Sequence, residues 1–167
     1  ASLLLGQGAG TFDAPRQFAV GAFQLPNPAG KDFLLDTYRR DILTADFNED
    51  GIPDLAITNY DSSDVSVLLG RGDGTFEPQR RFDATSHPYG MTIGDVNEDG
   101  HLDLIVLEVP FTITPAKLAV LLGRGNGTFL PQRLIEAPAA FQGDAALALS
   151  DLDRDGHLDL IIGGGGN

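Results

Sequence analysis

The sequence contains no cysteine, no tryptophan and a single methionine in 167 residues. Without cysteine there is no disulfide framework, no thiolate metal site and no cysteine nucleophile. No run of 18 apolar residues occurs, so the sequence predicts no membrane-spanning helix. Basic residues are also scarce. The 11 Lys and Arg face 24 Asp and Glu, and the net charge of −13 argues against nucleic acid as the main partner.

Acidic residues and glycine, by contrast, are abundant. The 24 acidic residues and 21 glycines accompany a hydrophobic fraction of 42%, which is enough for a packed core. Two recurring motifs contain many of these acidic residues and glycines. An acidic motif, Asp-x-Asn/Asp-x-Asp-Gly-x-x-Asp-Leu, occupies residues 46–55, 95–104 and 151–160. A glycine motif, Leu-Leu-Gly-x-Gly-x-Gly-Thr-Phe, occupies Leu4–Phe12, Leu68–Phe76 and Leu121–Phe129.

The spacing of the repeat predicts a β-propeller. The acidic motifs start 49 and 56 residues apart, the length of a blade of four short strands. Short alternating or β-branched segments predict strands at 65–69, 91–94, 102–107, 118–122 and 158–162. No sustained 3.6-residue periodicity occurs, so we expect little or no helix. Pro-containing insertions near residues 23–36 and 109–115 are expected to be surface loops.

The repeat also predicts how the blades are divided. The chain begins inside a glycine motif and stops just after an acidic motif, so its two ends together complete one repeat unit. We therefore expect an all-β propeller unit over residues 1–167, with about three four-stranded blades and the last one split between the termini. Three blades are too few to close. The chain is then either an excerpt of a larger propeller or half of a homodimeric six-bladed ring.

The acidic motif has the chemistry of a calcium loop. Carboxylates this close in sequence repel one another unless a cation lies among them, and oxygen donors suit Ca²⁺. The side chains at positions 1, 3, 5 and 9 and the backbone carbonyl at position 7 are the predicted ligands, and the glycine at position 6 is expected to allow a sharp turn with positive φ. Three Ca²⁺ sites are predicted, and the third should bind most tightly because Asp153 replaces an Asn. The predicted ligands are Asp46, Asn48, Asp50, Ile52, Asp54, Asp95, Asn97, Asp99, His101, Asp103, Asp151, Asp153, Asp155, His157 and Asp159.

The two motifs together resemble the FG-GAP repeats of VCBS type, which are related to the calcium-binding blades of integrin α-subunit propellers. An EF-hand is excluded because position 12 is apolar in every copy, as Ile57, Val106 and Ile162. The resemblance implies a propeller with Ca²⁺ in the hairpin between the first and second strands of a blade. The literal Phe-Gly and Gly-Ala-Pro strings that name the family are missing from this sequence.

Other motifs have structural interpretations at this stage. The glycine motif lacks the Lys-Ser/Thr of a phosphate loop, so it is interpreted as a strand-connecting turn, with Phe12, Phe76 and Phe129 as inter-blade anchors. The adhesion tripeptide Arg71-Gly72-Asp73 lies inside one such turn and is interpreted as a by-product of the repeat. For His101 and His157, only the backbone carbonyls are expected to contribute to the calcium loops, and no role is expected for the imidazole rings.

The expected function is a calcium-stabilised module for extracellular binding or adhesion, with a protein or carbohydrate ligand at the blade-end loops. Extracellular Ca²⁺ matches the affinity of such modules. We expect a secreted or cell-surface protein from a bacterium, with no membrane span and no nucleic-acid partner. Two alternatives stay open. One is a carbohydrate-active lyase or hydrolase on the loops of the scaffold, although no catalytic residues stand out in the sequence. The other is a purely structural assembly protein.

Overall fold

A computed structural model describes residues 1–8, 11–18, 20, 41–108, 115–137 and 145–164. These residues form β-strands and turns, without a helix. In the same residues no helix is long and apolar enough to cross a membrane. The predicted insertion at 23–36 and residues 109–114 of the second insertion lie outside the described residues.

The N-terminal residues form two small pairs of strands. Strand β1 (Ser2–Leu3) pairs with β4 (Arg16–Gln17), and between them β2 (Gly6–Gly8) pairs with β3 (Thr11–Phe12). All these pairings are antiparallel. We call these four short strands together the N-terminal pair, after the outer pair of β1 and β4.

Two four-stranded antiparallel sheets follow, each with strands in chain order. Sheet I consists of β5 (Ile42–Ala45), β6 (Asp54–Asn59), β7 (Asp64–Leu68) and β8 (Arg80–Asp83). Sheet II consists of β9 (Pro88–Gly94), β10 (Asp103–Glu108), β11 (Lys117–Leu121) and β12 (Arg133–Glu136). The register is the same in both, because Leu55 pairs with Leu68 in sheet I and Leu104 pairs with Leu121 in sheet II. Each sheet has the four strands predicted for one blade.

The last described strands form the C-terminal pair, in which β13 (Ala145–Ser150) lies antiparallel to β14 (Asp159–Gly164). Three apolar clusters connect the four regions. One, around Ile57 and Leu68, joins the N-terminal pair to sheet I. The largest lies between sheets I and II, and the third packs sheet II against the C-terminal pair. The regions therefore stand in a row in chain order, and burial on both faces of β6 and β10 follows from this stacking.

Arginine side chains join adjacent regions in this row. Arg16 of the N-terminal pair donates from Nη1 to the carbonyl oxygen of Asp73 at 3.0 Å. Arg80 of sheet I makes the same bond to the carbonyl of Asn126 in sheet II, also at 3.0 Å. The arginine that follows each of the first two glycine motifs therefore binds the glycine turn of the next sheet.

The strand predictions hold for all five segments, with shifts of one or two residues and with β9 longer than predicted. The anchor prediction holds in part. Phe129 packs edge-on against Phe47 and Phe82 of sheet I, with ring centroids 5.7 and 5.1 Å apart, and Phe76 packs against Phe18 at 5.0 Å. Phe12 is 63% exposed, so the described residues do not test its role as an anchor.

Candidate metal-binding loops

Each acidic motif forms the tight loop between two antiparallel strands. The first loop joins β5 to β6, the second joins β9 to β10 and the third joins β13 to β14. These are the first and second strands of each sheet, or of the C-terminal pair. All three loops therefore have the predicted position in the fold.

Left-handed backbone at two positions makes the turn. The glycine at position 6 has φ of 82° in Gly51, 87° in Gly100 and 97° in Gly156, as predicted. Position 4 is also left-handed, with φ near 60° in Glu49, Glu98 and Arg154. Sequence reasoning missed this second position because its side chains are not glycine, and such residues rarely adopt positive φ.

The aspartates at positions 1 and 5 hold the backbone of the loop. Asp46 accepts hydrogen bonds from the backbone N–H groups of Asp50 at 3.1 Å and Gly51 at 2.7 Å. Asp50 in turn accepts from the N–H of Ile52 at 2.8 Å. The second and third loops repeat these bonds with Asp95, Asp99, Asp151 and Asp155. These bonds lie within the loop, so the carboxylates at positions 1 and 5 are directed to the inside of the turn by local contacts alone.

The aspartate at position 9 joins the acidic loop to the glycine motif. Asp54 is fully buried and accepts from the N–H of Phe47 at 2.9 Å and of Gly70 at 2.7 Å. Asp103 does the same in sheet II, with Val96 at 2.9 Å and Gly123 at 2.7 Å.

Burial raises the pKa of Asp54 and of Asp103, and the backbone hydrogen bonds oppose this rise. A buried carboxylate of this kind is stabilised in its charged form by donors or by a nearby cation.

The glycine that donates to this aspartate cannot carry a side chain. A Cβ on Gly70 would lie 2.3 Å from the carbonyl oxygen of Pro53, and one on Gly123 would lie 2.1 Å from that of Leu102. The first glycine of the motif therefore lets the turn approach the acidic loop. The sequence predicted a turn here but not this contact, because the glycine lies 16 residues after the aspartate in sheet I and 20 residues after it in sheet II.

The third loop is more exposed than the other two. Asp151, Asp153 and Asp159 each place one carboxylate oxygen within 4.8 Å of the others. Within the described ranges this is the one group of three acidic, histidine or cysteine side chains that comes this close. Asp159 accepts from the N–H of Leu152 at 2.8 Å, and no second described residue donates to it. The structure thus brings together three of the predicted ligands in this loop.

Consecutive loops are also linked through their side chains. Glu49 of the first loop lies 2.6 Å from Nδ1 of His101 in the second, and Glu98 of the second loop pairs with Nδ1 of His157 in the third. The carboxylates raise the pKa of both histidines, mainly through these hydrogen bonds. The expectation that only the histidine carbonyls matter was incomplete. Each ring connects its loop to the preceding one, a contact that requires two sheets to be adjacent.

The tripeptide Arg71-Gly72-Asp73 has an internal structural role. Oδ1 of Asp73 accepts from the N–H and the hydroxyl of Thr75 at 2.8 and 2.6 Å, and these bonds lower the pKa of Asp73. Asn126 makes the same two bonds to Thr128 in the next glycine turn. This agreement favours the interpretation of the tripeptide as part of the repeat.

Sheet I carries a buried polar cluster that the sequence did not indicate. Asn59 donates to Asp64 at 2.8 Å and to Ser66 at 2.7 Å, and Arg81 pairs with Asp64. Ser66 also donates to Gln79 at 2.8 Å. These bonds connect β6, β7 and β8 at the end of the sheet opposite the acidic loop. Their effect is to fix the hairpin after Asn59.

Comparison with known proteins supports the repeat assignment. Residues 46–106 match the family described as FG-GAP-like repeat. This segment is similar to FG-GAP-like repeats. It contains the first two acidic motifs and one glycine motif, so the resemblance predicted from those residues is confirmed.

The chain is similar to the T-cell immunomodulatory proteins of human and rat. The identities are 28% over 145 residues and 31% over 146 residues, which is 86% of this chain in both cases. The chain spans 23% of the length of these relatives. Among solved structures it is similar to a chain of the Photorhabdus luminescens Tc holotoxin pore. The TM-score is 0.52 at 18% identity, over 96% of this chain and 7% of that one, and this similarity concerns the fold alone.

Proposed function

We propose that this chain is a calcium-stabilised, propeller-type module that binds a protein or carbohydrate ligand outside the cell. The observation that carries the proposal is the series of three acidic loops with the same turn and the same internal hydrogen bonds. The FG-GAP-like repeat and the similarity to the T-cell immunomodulatory proteins support an extracellular or cell-surface binding role. A bacterial source stays a prediction.

The donor set fits Ca²⁺. In the third loop, three carboxylate oxygens lie within one coordination sphere of each other. In the first two loops, the buried carboxylates of Asp54 and Asp103 have raised pKa values, which a bound dication would lower. Asp, Asn and backbone carbonyl oxygens at flexible spacing suit Ca²⁺ better than Mg²⁺, which requires octahedral geometry. The proposed ligands are the positions 1, 3, 5, 7 and 9 predicted from the sequence.

The proposed role of the ion is structural. A cation in each loop would neutralise clustered carboxylates and hold the first hairpin of a sheet. The linked loops, through Glu49–His101 and Glu98–His157, would then form a rigid edge along the row of sheets. The loops at the sheet ends would present the ligand surface, as loops on rigid scaffolds do. We propose binding and not catalysis, because each described bond of the acidic loops has a role in holding the fold.

A chelator experiment tests the metal. Removal of divalent ions with EGTA should lower the melting temperature by many degrees, because a ligand at 100 times its Kd stabilises the folded state by about 2.7 kcal/mol per site. Ca²⁺ should restore the melting temperature at lower concentration than Mg²⁺. An unchanged melting temperature would exclude the metal assignment.

A variant pair localises the metal effect. Asp155→Ala removes a proposed ligand, whereas Asp61→Ala changes an exposed residue in the turn between β6 and β7. Isothermal titration with Ca²⁺ should show one binding site fewer for Asp155→Ala and an unchanged stoichiometry for Asp61→Ala. Equal stoichiometry in the two variants would contradict the assignment of the third loop.

A further inference from the structure

The glycine turn of sheet II contains an asparagine followed by glycine, a pair of residues that can react with each other. Asn126-Gly127 is the one Asn-Gly pair in the sequence. In such a pair the backbone nitrogen of the glycine can attack the side-chain carbonyl carbon of the asparagine, because glycine has no side chain to obstruct the approach. The equivalent residues of the other two glycine motifs, Ala9 and Asp73, have no side-chain amide to lose.

The fold requires glycine as the second member of this pair. Gly127 has φ of 71°, in the left-handed region that favours glycine. A Cβ on Gly127 would lie 2.6 Å from Cδ2 of Leu69 in sheet I. Asn126 itself is exposed, so water reaches it. The identity of residue 126 therefore decides whether the turn can undergo this reaction.

Sheet I holds both sides of the peptide group that joins the pair. Nη1 of Arg80, in β8, donates to the carbonyl oxygen of Asn126 at 3.0 Å. The N–H of Gly127 donates to the carbonyl oxygen of Phe47, in the first acidic loop, at 2.8 Å. The attack requires the Gly127 nitrogen to turn towards the asparagine side chain and to give up its proton. Because the carbonyl and the N–H belong to one planar group, these two bonds together oppose that movement.

The side chain of Asn126 is held separately, within its own turn. Its Oδ1 accepts from the N–H and the hydroxyl of Thr128 at 3.0 and 2.6 Å. The attacking nitrogen and the carbon that it would attack are thus fixed by different sets of bonds. Reaction requires the peptide group to leave Arg80 and Phe47, which means that the junction between sheets I and II must open locally.

We propose that Asn126 is a deamidation site that the junction between sheets I and II keeps closed. When the junction opens, the Gly127 nitrogen forms a bond to Cγ of Asn126, and the side-chain nitrogen leaves as ammonia with the proton that the Gly127 nitrogen gives up. Water then opens the resulting succinimide ring at one of its two carbonyl carbons, which gives aspartate or isoaspartate. Water is the only co-reactant.

The two products have different consequences for the junction. Aspartate at position 126 reproduces Asp73 of sheet I, whose Oδ1 accepts from the N–H and the hydroxyl of Thr75 at 2.8 and 2.6 Å. Isoaspartate adds a carbon atom to the main chain, which displaces the N–H of Gly127 from Phe47. Formation of isoaspartate therefore weakens the contact between the two sheets permanently.

Peptide mass spectrometry tests the protection by the fold. The folded chain and the same chain unfolded in urea are incubated in one mildly alkaline buffer, and the peptide that contains residue 126 is followed for the mass increase that replaces the amide by a carboxyl group. The folded chain should deamidate slower by about tenfold or more, because only the locally opened fraction reacts. Equal rates in the folded and unfolded chains would overturn the proposal, and so would the absence of deamidation in the unfolded chain.

Two arginine variants test whether this junction is responsible. Arg80→Ala removes the bond to the carbonyl of Asn126, whereas Arg16→Ala removes the equivalent bond to the carbonyl of Asp73 at the preceding junction. With both variants folded by circular dichroism, residue 126 should deamidate several-fold faster in Arg80→Ala and at the unmodified rate in Arg16→Ala. The same rate in both variants would contradict the assignment to the junction of sheets I and II. The comparison of folded and unfolded chains needs no variant, so it decides the proposal if Arg80→Ala does not fold.

Melting temperatures test the consequence of the reaction. The Asn126→Asp variant should melt like the unmodified chain, because Asp73 shows that an aspartate makes the same bonds at this position. The isoaspartate form, separated from the aged chain by ion exchange, should melt at a lower temperature. An isoaspartate form that melts with Asn126→Asp would contradict the predicted loss of the Phe47 contact.

Discussion

The first two acidic loops and the third have the same sequence pattern but different surroundings. In sheets I and II the position-9 aspartates are buried and receive a hydrogen bond from the glycine motif of the same sheet. Asp159 of the third loop is half-buried and has three exposed apolar residues near it in the C-terminal pair. The difference shows that the acidic motif alone forms the turn, whereas the glycine motif is needed to bury it.

The comparison also separates two kinds of interaction. The backbone N–H bonds to the aspartates at positions 1, 5 and 9, which join residues two to seven positions apart, are the same in all three loops. Among the described residues, the bond from the glycine motif to the position-9 aspartate is made in sheets I and II, where both motifs belong to one sheet. Substitutions at equivalent positions should therefore have large effects in the covered copies and small effects in the uncovered ones. The following four predictions test this difference.

The largest difference is expected between Leu121→Ala and Leu4→Ala. Leu121 is fully buried in the main apolar cluster, so its truncation should cost about 2–5 kcal/mol of the free energy of unfolding. Leu4 is half exposed, and its truncation should cost well under half as much. Urea unfolding followed by circular dichroism measures both. Equal losses would show that the N-terminal pair is as well covered as sheet II.

A second difference is expected between Gly123→Ala and Gly6→Ala. A Cβ at Gly123 would overlap the carbonyl oxygen of Leu102, and the required backbone shift should cost about 1–3 kcal/mol. Gly6→Ala meets no such overlap and should be close to neutral. Thermal melts of the two variants against the unmodified chain check this. A strongly destabilised Gly6→Ala monomer would contradict the comparison.

A third, smaller difference concerns the position-9 aspartates in calcium-free buffer. Asp103→Asn keeps the shape but replaces one carboxylate oxygen with an amide donor that faces a backbone N–H. We expect a loss of about 1–3 kcal/mol, the cost of an unsatisfied buried polar group. Asp159→Asn should lose less, because one described N–H donates to it instead of two. Chemical denaturation in EGTA measures the losses, and the reverse order would be inconsistent with the difference in burial.

The smallest effect is expected for the links between loops. Glu49→Gln keeps a hydrogen-bond acceptor for His101 but removes the charge, and Glu98→Gln does the same for His157. Both pairs are largely exposed, so solvent and salt screen them. The change in melting temperature should be slight for each variant and should shrink further in 1 M NaCl. A large, salt-insensitive loss would indicate that the links hold adjacent sheets together.

Much of the fold could be predicted from local residue pattern. The strands follow from alternation and β-branched segments, and the turns at Gly51, Gly100 and Gly156 follow from the need for positive φ. The left-handed backbone at Glu49 and the burial of Asp54 could not be predicted. The first depends on hydrogen bonds that only the closed loop makes, and the second depends on a glycine 16 residues away.

The sequence by itself determined the repeat, the glycine turns and the spacing of the acidic side chains, because these depend on residues within about ten positions of one another. The tertiary structure alone decided which copies are covered. Stacking of sheets buries Phe129 and leaves Phe12 exposed, although the two residues occupy the same position in the same motif. Copies of one motif therefore contribute differently to the stability of the fold, because apolar burial and the Glu–His links depend on the adjacent sheet, which is distant in sequence.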